Sequence, residues 1–239
     1  MKIIADTHCH TVASGHAFST LLENVQAAKS AGLWAVATTD HIGKIPDAPG
    51  PWYFENLRII PNSINNIKIL KGVEANIINS AGDVDLPEMK IMLDWVIASL
   101  HDLPFEGPHG IKECTDAWLG VAENPRINVI GHSGTVGFEY DYESVIPVFG
   151  QKKKLVEINN SSHVSRIGST KNCLEIARIC KKYQVPVIVN SDAHFSFQVG
   201  KFEHAIALLE SINFPEELVI NSSISKFEKY LELYSQVFK

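Results

Sequence analysis

The chain reads as short, almost continuously apolar runs separated by longer amphipathic stretches. The runs are Lys2–Ala5, Trp34–Thr39, Lys68–Val73, Trp95–Leu100, Ile127–Gly131, Leu155–Ile158 and Val185–Asn190. Most lack the polar alternation of a half-exposed strand, which predicts parallel strands covered on both faces. Between them apolar residues recur at helical spacing. One helix opens with Thr20 and Glu23, three apart as in a capping box, and runs through TLLENVQAAKSA to a stop at Gly32. Others are predicted over Gly110–Glu123, Thr170–Gln184, Lys201–Ser211 and Ser225–Phe238. Strand and helix alternating seven times predicts an α/β chain with a wound or closed parallel sheet. Neither a G-x-G-x-x-G turn nor a P-loop is present, so a barrel of about seven strands is expected rather than an open nucleotide-binding sheet. No linker interrupts the pattern, and residues 1–239 are read as one domain.

Composition narrows the function classes. A net charge of -6 argues against binding nucleic acid through a basic surface. It does not exclude phosphate substrates, because bound divalent cations reverse the local sign of a site. No apolar run approaches the roughly 20 residues of a membrane span, and the N-terminus does not read as a signal peptide. Cys9, Cys114, Cys173 and Cys180 show no CxxC spacing and read as reduced thiols of a cytoplasmic chain.

The informative residues gather at one end of the predicted strands. The first strand is followed by His8, His10 and, a short run later, His16; the second by His41; the third by Glu74. The fourth is followed by His101, the fifth by His132, and the seventh by Asp192 and His194, whereas the sixth, ending EINNSS, supplies none. In an α/β barrel these C-terminal strand ends carry the chemistry. Ordinary surface or core histidines would scatter instead, so convergence on one rim predicts metal binding. Side chains two apart on a strand share a face, so His8 and His10 can serve one cation, and Asp192 and His194 repeat the spacing. Nine ligands are too many for one ion and divide among two or three. Neutral imidazole suits zinc, iron, nickel or copper, and the carboxylates add affinity for manganese and zinc.

Other residues read more weakly. Cys9 should face away from His8 and His10 as a packed thiol. Asp6 and Asp40 are expected to orient the ligands from behind rather than to coordinate. His163 and Arg166, after the sixth strand, are candidates for touching a substrate phosphate, with a plain surface-loop reading given equal weight. His109 reads as solvent-exposed and His204 as structural. The Pro/Gly-rich stretches Gly43–Pro51 and Pro104–Gly110 read as rim loops that shape a pocket.

Taken in order, DTHCHTVASGH, TTDH, GVEAN, ASLHD, IGHS and NSDAH resemble the motifs of the PHP (polymerase and histidinol phosphatase) superfamily across essentially the whole chain. The likeness is greatest to its small YcdX-type metal-dependent phosphatases. The resemblance implies a distorted (β/α)7 TIM-like barrel with a trinuclear centre, usually described with zinc, Mn2+ or Fe2+ being alternatives. It implies His8, His10, Glu74 and Asp192 around a first ion. Glu74 would bridge to a second ion completed by His101 and His132, and His16, His41 and His194 would hold a third. The implied reaction is hydrolysis of a small phosphate monoester by a metal-bound water, with no protein nucleophile, no membrane partner and, by analogy, a homo-oligomer. No Ser-His-Asp, Cys-His or G-x-S-x-G arrangement offers a competing nucleophile. A metal-bound water or Asp40 is the candidate general acid. The rival readings are a nuclease or phosphodiesterase acting on nucleotide ends, an amidohydrolase-like hydrolase, and a non-catalytic metal-binding domain. Glu74 disfavours the second, standing where such enzymes often carry a carboxylated lysine.

Overall fold

The structure is a computed structural model that describes residues 1–88 and 93–234. Its strands are β1 (Ala5–Asp6), β2 (Ala35–Thr38), β3 (Ser63–Ile64), β4 (Ile67–Asn76), β5 (Trp95–Ser99), β6 (Val129–Ile130), β7 (Leu155–Asn159) and β8 (Val187–Asn190). Seven of them run parallel in the order β1-β2-β4-β5-β6-β7-β8, and β3 is an antiparallel addition to β4. The helices are α1 (Leu21–Ser30), α2 (Pro51–Asn56), α3 (Ile111–Glu123), α4 (Tyr142–Gln151), α5 (Ser162–Ser165), α6 (Thr170–Tyr183), α7 (Glu203–Ser211) and α8 (Ile224–Tyr234). The sheet curls into a nearly closed, distorted TIM-like barrel, as expected. Among the described residues no helix is long and apolar enough to cross a membrane.

Period-two alternation along the strands sorts the core into two layers. Val36, Val96, Ile130, Val156 and Val189 face outward against helix residues such as Val25, Trp118, Phe149, Ile176 and Leu209. Ala35, Leu70, Trp95, Ile97, Val129, Leu155 and Ile188 face inward, where Phe227, Tyr230 and Leu231 of α8 plug the bottom of the barrel. The Tyr230 hydroxyl anchors that plug by sharing its one proton between Lys153 O at 3.0 Å and Asn128 O at 3.2 Å, just ahead of β7 and β6. Along the same inward faces the residues turn polar toward the C-terminal end: Glu74 and Asn76 above Leu70, Ser99 above Ile97, Glu157 and Asn159 above Leu155, Asn190 above Ile188. The apolar lower barrel therefore makes a floor, and the polar upper positions make a site.

The seam between β1 and β8 is closed by side chains as much as by backbone. Above the strands a single parallel bridge joins Cys9 to Ala193, with His10 N donating to Ala193 O at 2.8 Å. Lower down, Asn221 fills the gap. Its Nδ2 donates to Ala5 O at 2.9 Å and Val189 O at 2.6 Å, while its Oδ1 accepts from Val189 N at 3.1 Å. One amide thus stands in for the missing strand-to-strand bonds, which a buried backbone cannot forgo.

The helices agree with the sequence pattern where caps are explicit. Thr20 N donates to Glu23 Oε2 at 2.7 Å and Glu23 N to Thr20 Oγ1 at 3.3 Å, the expected capping box. Gln184 ends α6 in a left-handed conformation, φ 56°. The final expected helix begins at Ile224, and its residues 235–238 lie outside the described residues. Four elements were not expected: α2, β3, α4 and α5. In α4 the Pro147 that argues against a helix sits within it, tolerated because Val145, Ile146 and Phe149 pack into the core. The alternation also breaks once. Between β4 and β5 no helix occurs among the described residues; a bridge between Ile77 and Val84 and a turn at Gly82 replace it. Gly82 (φ 81°) presses on α3 so closely that a Cβ would stand 2.5 Å from Ala117 O.

Replacing Asn221 with Leu leaves the Val189 N–H and two carbonyls without partners. At about 1–3 kcal/mol per buried unsatisfied group, the loss in urea unfolding should be roughly 3 kcal/mol or more. A loss below about 1 kcal/mol would contradict the closure role.

Candidate metal centre

The structure brings all nine rim residues together. His8 and His10, which follow β1, are completely buried and aim their Nε2 atoms at the same pair of carboxylate oxygens. His8 Nε2 lies 3.3 Å from Glu74 Oε2 and 3.5 Å from Asp192 Oδ1; His10 Nε2 lies 3.4 Å from each. These separations are long for hydrogen bonds between imidazole and carboxylate. They match the edge of a tetrahedral site, because ligand atoms about 2.0–2.1 Å from one ion sit roughly 3.3–3.4 Å apart. His8 Nε2, His10 Nε2 and His41 Nδ1 are buried with no hydrogen-bond partner. Orphaned buried nitrogens cost stability unless something binds them, so the donor set fits a divalent ion.

Glu74 lies at the middle, and its two oxygens face different histidines. Oε2 meets His8, His10 and, at 3.0 Å, His41 Nδ1. Oε1 meets His132 Nε2 at 2.9 Å and His101 Nε2 at 3.6 Å. The remaining ligand types close a third group: the ligand atoms of His10, His41 and His194 lie within 4.8 Å of one another, and His16 Nε2 is 3.0 Å from His194 Nε2. His41 therefore stands beside Glu74 and His101 as well as beside His194, between two of the groups implied by the resemblance.

A second ring of side chains fixes how each imidazole is presented. His8 Nδ1 lies 2.7 Å from Glu157 Oε1, an oxygen that can only accept, so Nδ1 carries a proton. His10 Nδ1 meets Ser14 Oγ at 3.2 Å; that hydroxyl spends its own proton on Asp40 Oδ1 at 2.7 Å, so it too accepts. His101 Nδ1 meets Asn76 Oδ1 at 2.7 Å. Glu157 also accepts from His132 N at 2.8 Å and from Asn190 Nδ2 at 2.8 Å, locking three strand ends to one carboxylate.

The backbone is strained where the ligands sit. His132 (φ 26°) and Asp192 (φ 57°) both occupy left-handed conformations, uncommon for residues with a Cβ and worth of order 1–3 kcal/mol each. Gly131 before His132 has to be glycine, since a Cβ would stand 2.1 Å from Ser99 Oγ.

Burial and charge set the protonation states of the metal-free site. Burial, joined by the neighbouring imidazoles of His41 and His194, holds His10 well below the ordinary histidine range. Burial likewise depresses His101 and His132, in the neutral form that binds metal. For His8 burial is outweighed by the Glu157, Asp192 and Glu74 carboxylates, which hold it well above that range. For Glu74 and Asp192 the facing histidines, with Arg166 beside Asp192, overcome burial and keep both ionised.

The weaker sequence candidates divide. Arg166 reaches the site: its Nη1 donates to Asp192 Oδ2 at 3.0 Å, and it helps line a cavity of about 480 Å3 above His16, His41, His101 and His194. His163 does not. Its ring lies 4.2 Å from that of His204, tilted by 30°, beside a separate cavity over β7, because α5 turns it away from the centre. Asp6 accepts from Ser191 N and Gly200 N and so steadies the turn that presents Asp192. Asp40 takes hydrogen bonds from Thr11 N, Thr11 Oγ1, Ser14 Oγ, Thr38 Oγ1 and Tyr53 OH. Fully engaged, buried and outside the cavity wall, it orients the β1 loop and is not placed to act as a general acid. Cys9 faces the core, as expected. His109 is half-buried rather than exposed, stacked on Phe138 at 4.5 Å. Glu157, Asn76 and Ser14 were missed. The signal for Glu157 was present: a carboxylate inside an apolar run, on the same face as Leu155.

Comparison with known proteins agrees with the barrel fold. The PHP domain profile matches residues 6–161 and the PHP-associated profile residues 171–219. A probable phosphatase of Caldanaerobacter subterraneus subsp. tengcongensis is 47% identical over 234 residues, 97% of this chain and 92% of its own length. A probable phosphatase of Acetivibrio thermocellus is 44% identical, covering 97% of this chain and 96% of its own. Among solved structures, histidinol phosphate phosphatase from Lactococcus lactis subsp. lactis Il1403, complexed with zinc, L-histidinol and phosphate, shares the fold. The TM-score is 0.65 at 18% identity, covering 90% of this chain and 95% of that one. A probable 2-pyrone-4,6-dicarboxylic acid hydrolase from Acinetobacter baumannii follows the same fold at TM-score 0.53 and 12% identity, covering 97% of this chain and 99% of that one.

Two outcomes follow from the geometry. Glu157→Gln puts an amide where four donors, His8 Nδ1, His132 N, Asn190 Nδ2 and Asn159 Nδ2, meet a carboxylate, and zinc affinity measured against a chelator should fall about 10–100-fold; unchanged affinity would refute the orienting role. Because metal must displace the Nε2 proton of His8, binding should release at least about one proton near neutral pH and weaken as pH falls. Calorimetry in buffers of different ionisation enthalpy reads this directly, and zero protons released would contradict it.

Proposed function

The chain belongs to the PHP family, and on that premise we propose that it hydrolyses small phosphate monoesters at a trinuclear divalent-metal centre, zinc foremost, built from the nine rim residues. The observation that carries the reading is the quartet of His8, His10, Glu74 and Asp192, four of whose edges measure 3.3, 3.5, 3.4 and 3.4 Å around orphaned nitrogens. Glu74, with one oxygen toward His8, His10 and His41 and the other toward His101 and His132, is oriented to bridge two ions. His16, His41 and His194 would hold the third. Names of relatives that are probable phosphatases support the reaction class.

Divalent ions bound at such a site lower the pKa of a coordinated water toward neutrality and offset charge on phosphoryl oxygens. The chain's own residues position and protect. Arg166, one nitrogen tied to Asp192, has further N–H groups to offer a phosphate at the cavity wall. Glu157, Ser14 and Asn76 keep the imidazoles aimed, and the apolar barrel floor keeps water from approaching from below. Neither profile-matched stretch holds the whole ligand set: Asp192 and His194 come from the second, the other seven from the first. The two stretches therefore act as one catalytic unit. Four unpaired cysteines fit a reducing compartment, the cytoplasm.

The zinc- or manganese-loaded protein should turn over p-nitrophenyl phosphate at least about tenfold faster than bis-p-nitrophenyl phosphate or oligonucleotides, and a chelator should abolish the activity. Faster diester, amide or lactone hydrolysis, or metal-loaded protein inert across the panel, would overturn the proposal. Arg166→Ala should lower kcat/KM for the monoester by roughly 10–100-fold, the value of about 1.5–3 kcal/mol for a hydrogen bond to a charged group.

A further inference from the structure

Behind His101 the contact with Asn76 is backed by a further chain of hydrogen bonds through Asp85. The His101 Nδ1 partner is Asn76 Oδ1, at 2.7 Å. An amide can present either end to a histidine, and the end it presents decides which ring nitrogen holds the proton. Here the orientation is forced. Asn76 Nδ2 has both of its hydrogens committed to oxygens that only accept, Ile42 O at 2.7 Å and Asp85 Oδ2 at 2.7 Å. Its Oδ1 must therefore face His101, whose Nδ1 must carry the proton. That leaves Nε2 bare, 3.6 Å from Glu74 Oε1 and pointed into the centre.

Asp85 grips more than the amide. Its Oδ1 accepts from Asn76 N at 2.8 Å and its Oδ2 also accepts from Lys44 N at 3.0 Å. The approach of Lys44 N depends on Gly43 (φ 70°), where a Cβ would stand 2.0 Å from Asp85 Oδ2. Lys44 is in turn paired through Nζ to Glu106, and its neighbour Ile45 lines the cavity. One carboxylate thus ties the end of β4, the tautomer of His101 and the rim turn over the cavity.

We propose that Asn76 and Asp85 are positioning residues. Asn76 locks His101 in the Nδ1-protonated tautomer, and Asp85 acts through Asn76 while anchoring the Gly43–Lys44 turn. The inference rests on the reading of His101 as a metal ligand, but the tautomer it predicts does not require metal to be observed.

The test uses the full chain. Long-range 15N–1H correlation spectra of the metal-free protein report which nitrogen of His101 is protonated, and chelator competition reports zinc affinity. The wild type is expected to show His101 protonated at Nδ1. Asn76→Leu should give a mixed or Nε2-protonated His101 and weaken one zinc ion about 10–100-fold, the range for lost outer partners of a ligand. Asp85→Ala should weaken the same ion in the wild-type background and have no further effect in the Asn76→Leu background, as a double-mutant cycle requires of residues acting in series. Gly43→Ala displaces Asp85 with every polar group retained, and should shift both readouts in the same direction; it carries the test if Asn76→Leu does not fold. A His101 that stays Nδ1-protonated in Asn76→Leu, effects of Asp85 and Asn76 that simply multiply, or Gly43→Ala with both readouts unchanged would overturn the inference. His101→Ala separates the two levels: unchanged zinc affinity there would sink the ligand reading, while the spectra would still judge the tautomer lock.

Discussion

Everything above the barrel floor depends on the burial of Glu74. A carboxylate with 1% exposure at the centre of a barrel is costly unless its charge is met. Here each oxygen is met by imidazole nitrogens from separate strand ends, so satisfying one charge fixes the positions of β1, β2, β5 and β6 relative to β4. Oε2 stands 3.3 Å from His8 Nε2 and 3.4 Å from His10 Nε2, long for hydrogen bonds and the spacing that shared coordination would give. A group that would weaken an apolar core becomes, with cations bound, the point where the ligand strands are tied together.

Fold and site share out opposing demands. The lower barrel is packed by Trp95, Leu155, Ile188 and the α8 plug, and this apolar mass supplies the burial that a strained, polar upper layer cannot. Strain at His132 and Asp192 is tolerated because their backbones are held by Glu157 and by the Asp6-anchored turn. Asn221 closes the seam without a further strand, leaving the β1 and β8 ends free to diverge into the loops that carry His10 and Asp192.

Most of the site was legible because metal ligands demand particular residue types at particular places. Histidines at strand ends stand out against apolar runs, and the spacing of His8 and His10 carries its own geometry. The outer ring was less legible, because serine, asparagine and glutamate have many roles. Glu157 reveals itself only when its alternation with Leu155 is read as facing inward. Asn76 and Asp85 are joined by hydrogen bonds that no spacing rule announces. The fold shows the same division: capped helices and apolar strands were clear, while α4 was hidden by Pro147 and the role of Asn221 depends on closure across more than two hundred residues. His163 went astray because α5 ends at Ser165: Arg166, three residues on, has left the helical conformation (φ -121°, ψ 70°), so helical spacing no longer puts the two side chains on one face.

On the proposed function, His8, His10, Glu74 and Asp192 would enclose one ion of a multinuclear centre. Anomalous diffraction at the zinc edge from crystals of the zinc-loaded protein tests it most directly. A peak is expected about 2.0–2.2 Å from His8 Nε2, His10 Nε2 and an oxygen of each carboxylate, accompanied by two more peaks, one on the far oxygen of Glu74 and one among His16, His41 and His194. An empty quartet in fully loaded protein, or a single ion held elsewhere, would contradict it.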